Sequence, residues 1–137
     1  MKRQVTLMCE LPYRLMREGA WIVSLCPALD IASQGKTPRS ALRHLREAVA
    51  LVLKDGLASG ALESVLEQTG FVRMELAGRV VWVADPEQDK GRGLKSMAIR
   101  VRAAAPALRP AKARRVRLLT VLPWTISTAL HAQARAS

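Results

Sequence analysis

Hydrophobic and polar positions alternate with a period of two from Val5 to Leu25, broken at Leu11-Pro12 and again at Arg17-Glu18-Gly19-Ala20. Two strands joined by a turn read this way. Trp21, Val23 and Leu25 share one face of the second strand and Ile22, Ser24 and Cys26 the other. Pro27 removes an amide donor and ends it, and Leu29 to Ser33 is long enough for a third short strand, which makes a meander. The period then changes. In Gly35-Lys36-Thr37-Pro38, the Thr37 hydroxyl is placed to accept from a free backbone amide, and Pro38 suits the first helical position, where its missing N–H has no partner to lose. Ala41, Leu42, Leu45, Ala48, Val49, Val52 and Leu53 follow at helical spacing, with Arg39, Arg43, Arg46, Glu47 and Lys54 on the remaining side. An amphipathic helix of about five turns is predicted from Pro38, ended by Gly56. Ser59-Gly60 introduces a shorter helix with Leu62, Val65 and Leu66 as its apolar stripe and Gly70 as its stop. Phe71 to Leu76 and Arg79 to Ala84 flank Ala77-Gly78 as a hairpin or a strand and its continuation. The predicted order is β-β-β-α-α-β-β, an α+β layer with helices on one face of a small sheet.

Charge divides the 137 residues unevenly. All eleven acids lie at or before Asp89, where eleven basic residues balance them, and the other eleven basic residues fall between Lys90 and Arg135 with no acid among them. The chain therefore reads as a domain over residues 1–84 within the neutral stretch 1–89, a linker over 85–95 with the breakers Pro86, Gly91 and Gly93, and a basic Ala/Arg/Pro-rich tail over 96–137, expected to be largely irregular. Within the tail, Arg114 to Pro123 alternates imperfectly and Trp124 to Ala134 suits a helical segment, a faint likeness to the strand and first helix of a ribbon-helix-helix module, whose second helix has no counterpart here. Arg109, Lys112, Arg114, Arg115 and Arg117 are its candidate nucleic-acid contacts, because cations without neighbouring acids release counterions when they meet phosphates.

No run approaches the roughly 18 to 20 apolar residues of a membrane span, and Met1-Lys2-Arg3-Gln4 leads into alternation and not into a signal-peptide core. A cytoplasmic protein without a membrane partner is expected. Cys9 and Cys26 are too few for a disulfide framework and lack the spacing of a zinc site, so both read as reduced packing residues. His44 and His131 stand apart from any acid or thiol cluster, and Asp30, Glu47, Asp55 and Glu63 are not paired with a nucleophile or a second acid. No catalytic, cofactor or metal site is predicted.

Three blocks then become recognisable: Arg17-Glu18-Gly19-Ala20-Trp21-Ile22-Val23-Ser24-Leu25-Cys26-Pro27-Ala28-Leu29-Asp30, Ser33-Gln34-Gly35-Lys36-Thr37, and Ala41-Leu42-Arg43-His44-Leu45-Arg46-Glu47-Ala48-Val49. With Gly60-Ala61-Leu62-Glu63-Ser64-Val65-Leu66 and Gly70-Phe71 further on, the stretch from about Leu11 to Phe71 resembles the HicB family of antitoxins. The resemblance implies a small three-stranded meander with a long helix, a reduced ribonuclease H-like core without its catalytic carboxylates. It also implies a noncatalytic antitoxin that binds and blocks a small HicA-like mRNA-cleaving ribonuclease as a homo-oligomer, and that represses its own operon. The alternative is a nucleic-acid-binding regulator that contacts DNA or RNA through the basic tail and has no toxin partner. Lys36 and Arg39-Ser40 stand where the family has acids. A Glu at Ser40 would complete a capping box with Thr37 and favour the helix dipole, so a loss of roughly 0.5 to 1 kcal/mol is expected at this helix start. Lys36, Arg39, Arg43 and Arg46 are expected to form a solvated face.

Overall fold

A computed structural model describes residues 3–76, 79–84, 94–106 and 115–120. The alternation at the start of the chain yields one long strand, β1 (Arg3–Glu18), which turns at Gly19 into β2 (Trp21–Cys26). A single 3-10 turn over Pro27–Leu29 leads into β3 (Ile31–Gly35), two residues later than the alternation alone suggests. Asp30 takes the left-handed conformation at the end of that turn, which its short polar side chain tolerates better than most. Helix α1 (Pro38–Ser59) starts at the predicted proline, and α2 (Leu62–Gln68), β4 (Val72–Leu76) and β5 (Arg79–Ala84) follow in the predicted order. Two more strands complete the described chain, β6 (Lys95–Ala105) and β7 (Arg115–Thr120).

These last two strands correct the expectation of an irregular tail. β6 pairs antiparallel with β1 from Arg3 opposite Ala105 to Tyr13 opposite Lys95. β7 runs parallel to the same strand, with Thr6 opposite Arg115 and Glu10 opposite Leu119. Since Thr6 to Glu10 pair with both, this part of β1 lies between β6 and β7. Its other half, Arg14 to Glu18, pairs with β2, and β2 with β3. β7 also runs parallel to β5, which pairs with β4, so β3-β2-β1-β7-β5-β4 forms one path with β6 attached to β1. The sheet thus continues beyond the expected linker, whose residues 85–93 lie outside the described set. So do the 121–137 stretch and its expected helical segment.

One face of this sheet makes the core. Val5, Leu7, Cys9, Leu11 and Tyr13 alternate inward along β1, and Met97, Ile99, Val101, Ala103 and Ala105 do so along β6. Helix α1 covers that face with Leu45, Val49, Leu53 and Leu57, recurring every four residues, while Val52, expected in the same stripe, is 41% exposed. The helix is tied down at its start. Ser24, the buried polar residue of β2, donates its hydroxyl to the Ala41 carbonyl at 2.8 Å. Gly35 comes so close to the first turn that an alanine Cβ there would lie 2.5 Å from the Ala41 nitrogen, which leaves no room for a side chain. His44 Nδ1 lies 2.7 Å from the Gln34 carbonyl; that oxygen only accepts, so Nδ1 carries the proton and donates. The predicted loss of the capping box does not occur: Thr37 Oγ1 accepts from the Ser40 amide and Ser40 Oγ accepts from the Thr37 amide, both at 3.1 Å. Serine supplies the reciprocal acceptor that glutamate would, without its charge for the dipole.

The end of α1 also differs from expectation. Gly56 stays inside the helix, where the missing side chain lets α2 approach: a Cβ there would lie 3.3 Å from Leu62 Cα. Gly60 is the terminator, at φ +79°, and its left-handed backbone lets the amides of Gly60 and Ala61 reach back to the Leu57 and Gly56 carbonyls.

Both cysteines are buried free thiols, as packing residues should be. Burial, with a smaller contribution from Cys26, pushes the Cys9 thiol up from 9.0 to about 12, and burial pushes the Cys26 thiol up to about 11. The unfolded chain ionises both near pH 9 while the native state keeps them neutral, so the native state binds more protons above that pH and stability falls as pH rises from about 9 toward 11 to 12. A disulfide reagent at pH 8 is expected to leave both thiols unmodified until denaturant is added. Prompt modification of the folded protein would show the sheet to be open at these positions.

Candidate functional site

Among the described residues, no helix lies on the second face of the β6-β1-β2-β3 part of the sheet. Along β1 it presents Gln4, Thr6, Met8, Glu10, Pro12, Arg14, Met16 and Glu18, the residues that alternate with the buried set. Its chemistry changes along the strand. Near the turn into β2, Met16 lies opposite Val23 and Glu18 opposite Trp21, and Arg14 opposite Leu25. Met16 is 43% and Trp21 42% exposed, with Val23 and Leu25 half-buried beside them. This apolar patch stands in solvent because the same alternation that buries Ile22, Ser24 and Cys26 must turn Trp21, Val23 and Leu25 outward. At its margin the Lys36 ammonium sits 5.9 Å from the centre of the Trp21 ring, within cation–π range.

Toward the start of β1 the open face becomes basic. Arg102 lies opposite Thr6 and Arg100 opposite Met8, both arginines exposed. These four residues line a concavity on the sheet. Arg100 Nε donates to Met8 Sδ at 3.3 Å, a weak bond that lays the guanidinium along the sheet. On the opposite edge of β1, Arg115 is in register with Thr6 and Arg117 with Met8. Of the predicted nucleic-acid residues, then, Arg115 and Arg117 belong to β7, and Arg109, Lys112 and Arg114 lie outside the described residues. Arg100 and Arg102 are not among the predicted contacts, although the alternation of Met97, Ile99, Val101, Ala103 and Ala105 around them is the period-two signal that marks a strand.

The helix-borne cations are separate from this face. Arg39 and Arg43 are exposed on α1, as a solvated face requires, but Arg46 reaches across to donate from Nη2 to the Ala98 carbonyl at 2.7 Å. Among the described residues no three or more His, Cys, Asp and Glu side chains gather as a metal site would require, and no helix is long and apolar enough to cross a membrane. The open face is therefore suited to holding another molecule by apolar contact at one end and by charge at the other. No protein-family model, curated protein or solved structure matches this chain.

Proposed function

We propose that this chain is a noncatalytic, HicB-like antitoxin of the cytoplasm that binds and blocks a small HicA-like mRNA-cleaving ribonuclease, acts as a homo-oligomer and represses its own operon. The observation that carries this reading is the exposed Trp21 and Met16 pair on the sheet face opposite α1, within the residues whose order resembles the family. In this reading β1, β2, β3 and α1 are the reduced ribonuclease H-like core. Exposed apolar patches rimmed by polar residues are the usual mark of a protein-docking surface, and an aromatic anchor such as Trp21 is the residue type that most often dominates one. An apolar anchor also accommodates the charges. A nuclease that grips RNA is basic, and the exposed Arg39 and Arg43 of α1 would not attract it, so affinity has to come from contacts that charge does not govern.

The experiment looks for a small basic protein encoded in a neighbouring reading frame and measures inhibition of its RNA cleavage. Stoichiometric addition of the full chain should abolish cleavage, with little change between low and physiological salt. Replacing Trp21 and Met16 together by Ser should weaken inhibition at least about tenfold, since a buried aromatic anchor is worth about 2 kcal/mol or more, while the protein still unfolds in one cooperative transition because neither residue belongs to the buried core. A parent chain that leaves cleavage untouched would remove the antitoxin reading.

A further inference from the structure

We propose that the basic end of the open sheet face is a built binding surface for the phosphodiester backbone of a nucleic-acid strand, with Arg100 and Arg102 as its principal contacts. The location is the sheet and not a loose arm. Arg102 and Arg100 are two residues apart on β6, so they project from the same face about 6.8 Å apart along the strand, close to the distance between successive phosphates of a nucleic-acid chain. Each has a partner on β1, Thr6 and Met8, and each of these has a further arginine in register on β7, Arg115 and Arg117. Two rows of the same order, Arg–Thr–Arg and Arg–Met–Arg, therefore cross three neighbouring strands.

The chemistry of the four described side chains fits a phosphate chain. Arginine is always charged and offers a planar fork of donors that matches phosphate oxygens two at a time. The Thr6 hydroxyl adds a neutral donor between the rows, and Met8 supplies a polarisable surface on which a base or sugar packs. One carboxylate adjoins the rows on this face of β1, Glu10, which lies opposite Ala98 one row beyond Arg100. The sequence after Asp89, which includes these arginines, has eleven cations and no acid. Two arginines spaced along one strand of a pleated sheet are a shape for an extended polymer. The proposal does not rest on the toxin-blocking part of the antitoxin reading, because the apolar patch at Met16 and Trp21 lies at the other end of the strand.

The test is fluorescence anisotropy with the full chain and three probes, a labelled 20-nucleotide single-stranded RNA, the same sequence as single-stranded DNA and as duplex DNA, over a series of salt concentrations. At least one probe should bind, with an affinity that falls as salt rises. Replacing Arg100 and Arg102 together by Ala should weaken binding at least about tenfold and lower the salt slope on a single strand by up to about 1.4, two contacts' worth. The thermal midpoint should hold, as both side chains are exposed. Replacing the same pair by Lys should restore the slope, since charge is retained. The proposal is overturned if the alanine pair binds every probe with the parent's affinity and slope. It is equally overturned if a triple replacement of Arg109, Lys112 and Arg114 by Ala abolishes binding while the alanine pair has no effect, or if phosphatidylserine vesicles bind more tightly than any oligonucleotide through the same two arginines.

Discussion

A chain ending at Asp89 is expected to show no cooperative thermal transition, although charge and composition alone make residues 1–89 look self-sufficient. The reason is β6. Met97, Ile99 and Val101 are all buried in the face that α1 covers, and each large apolar side chain contributes about 1.5 to 3 kcal/mol on leaving water. The three together are worth about 5 to 9 kcal/mol, which is comparable with the whole stability of an ordinary domain, about 5 to 15 kcal/mol. Their removal would also uncover Val5, Leu7 and Leu11 and leave the edge of β1 from Arg3 to Tyr13 without its ladder. An unpaired apolar edge of that length promotes association between chains, so the truncated protein should be recovered as aggregate or as a molten species. Scanning calorimetry of the two proteins decides the matter. A cooperative transition in the shorter chain within a few degrees of the full one would mean that the β1–β6 ladder adds nothing to the core.

The unpredicted strands of the tail and the predicted start of α1 have a common physical origin. Thr37, Pro38 and the apolar residues from Ala41 to Leu53 determine a helix through contacts within one or two turns, so the signal is complete in the local sequence. β6 is determined by β1, about ninety positions earlier in the chain, where Leu7 meets Val101 and Cys9 meets Ile99. Its own period-two pattern was present, but in a stretch whose charge and alanine content resemble an unstructured arm. Long-range pairing of this kind leaves no trace in propensity. Gly56 shows the same limit on a smaller scale. A glycine after an apolar stripe ordinarily ends a helix, and only the position of α2 against it reveals that this one is there for close packing.

The open face was legible in part. The assignment of Trp21, Val23 and Leu25 to one side of a strand follows from alternation, and the structure turns that side outward. Which of two alternating faces meets solvent is decided by where the helix lies, and this depends on Ser24 holding Ala41 and on Gly35 admitting the first helical turn. The basic end was legible only as a surplus of charge. Register converts that surplus into a place, by setting Arg100 and Arg102 against Thr6 and Met8.

Within the core, the sharpest contrast is expected between two neighbours on α1. Leu45 is fully buried at the centre of the Ala41, Leu45, Val49, Leu53 line and packs into the cluster that includes β1 and β6. Leu45→Ala removes that packing and leaves a cavity that a helix fixed at both ends cannot close: Ser24 and the Thr37–Ser40 box hold its start, and the Gly60 cap its end. A loss of about 2 to 5 kcal/mol is expected. Arg46 faces solvent, yet it is not a spectator, because its guanidinium donates to the Ala98 carbonyl and so fastens α1 to β6. That bond is exposed, and water replaces the lost donor at the carbonyl, so Arg46→Ala should cost no more than about 1 kcal/mol. Urea denaturation distinguishes them: Leu45→Ala should lower the midpoint several times further than Arg46→Ala, with the slope of both transitions close to the parent's. Equal shifts would place Leu45 outside the core, and α1 would then have to lie on the sheet by a different face.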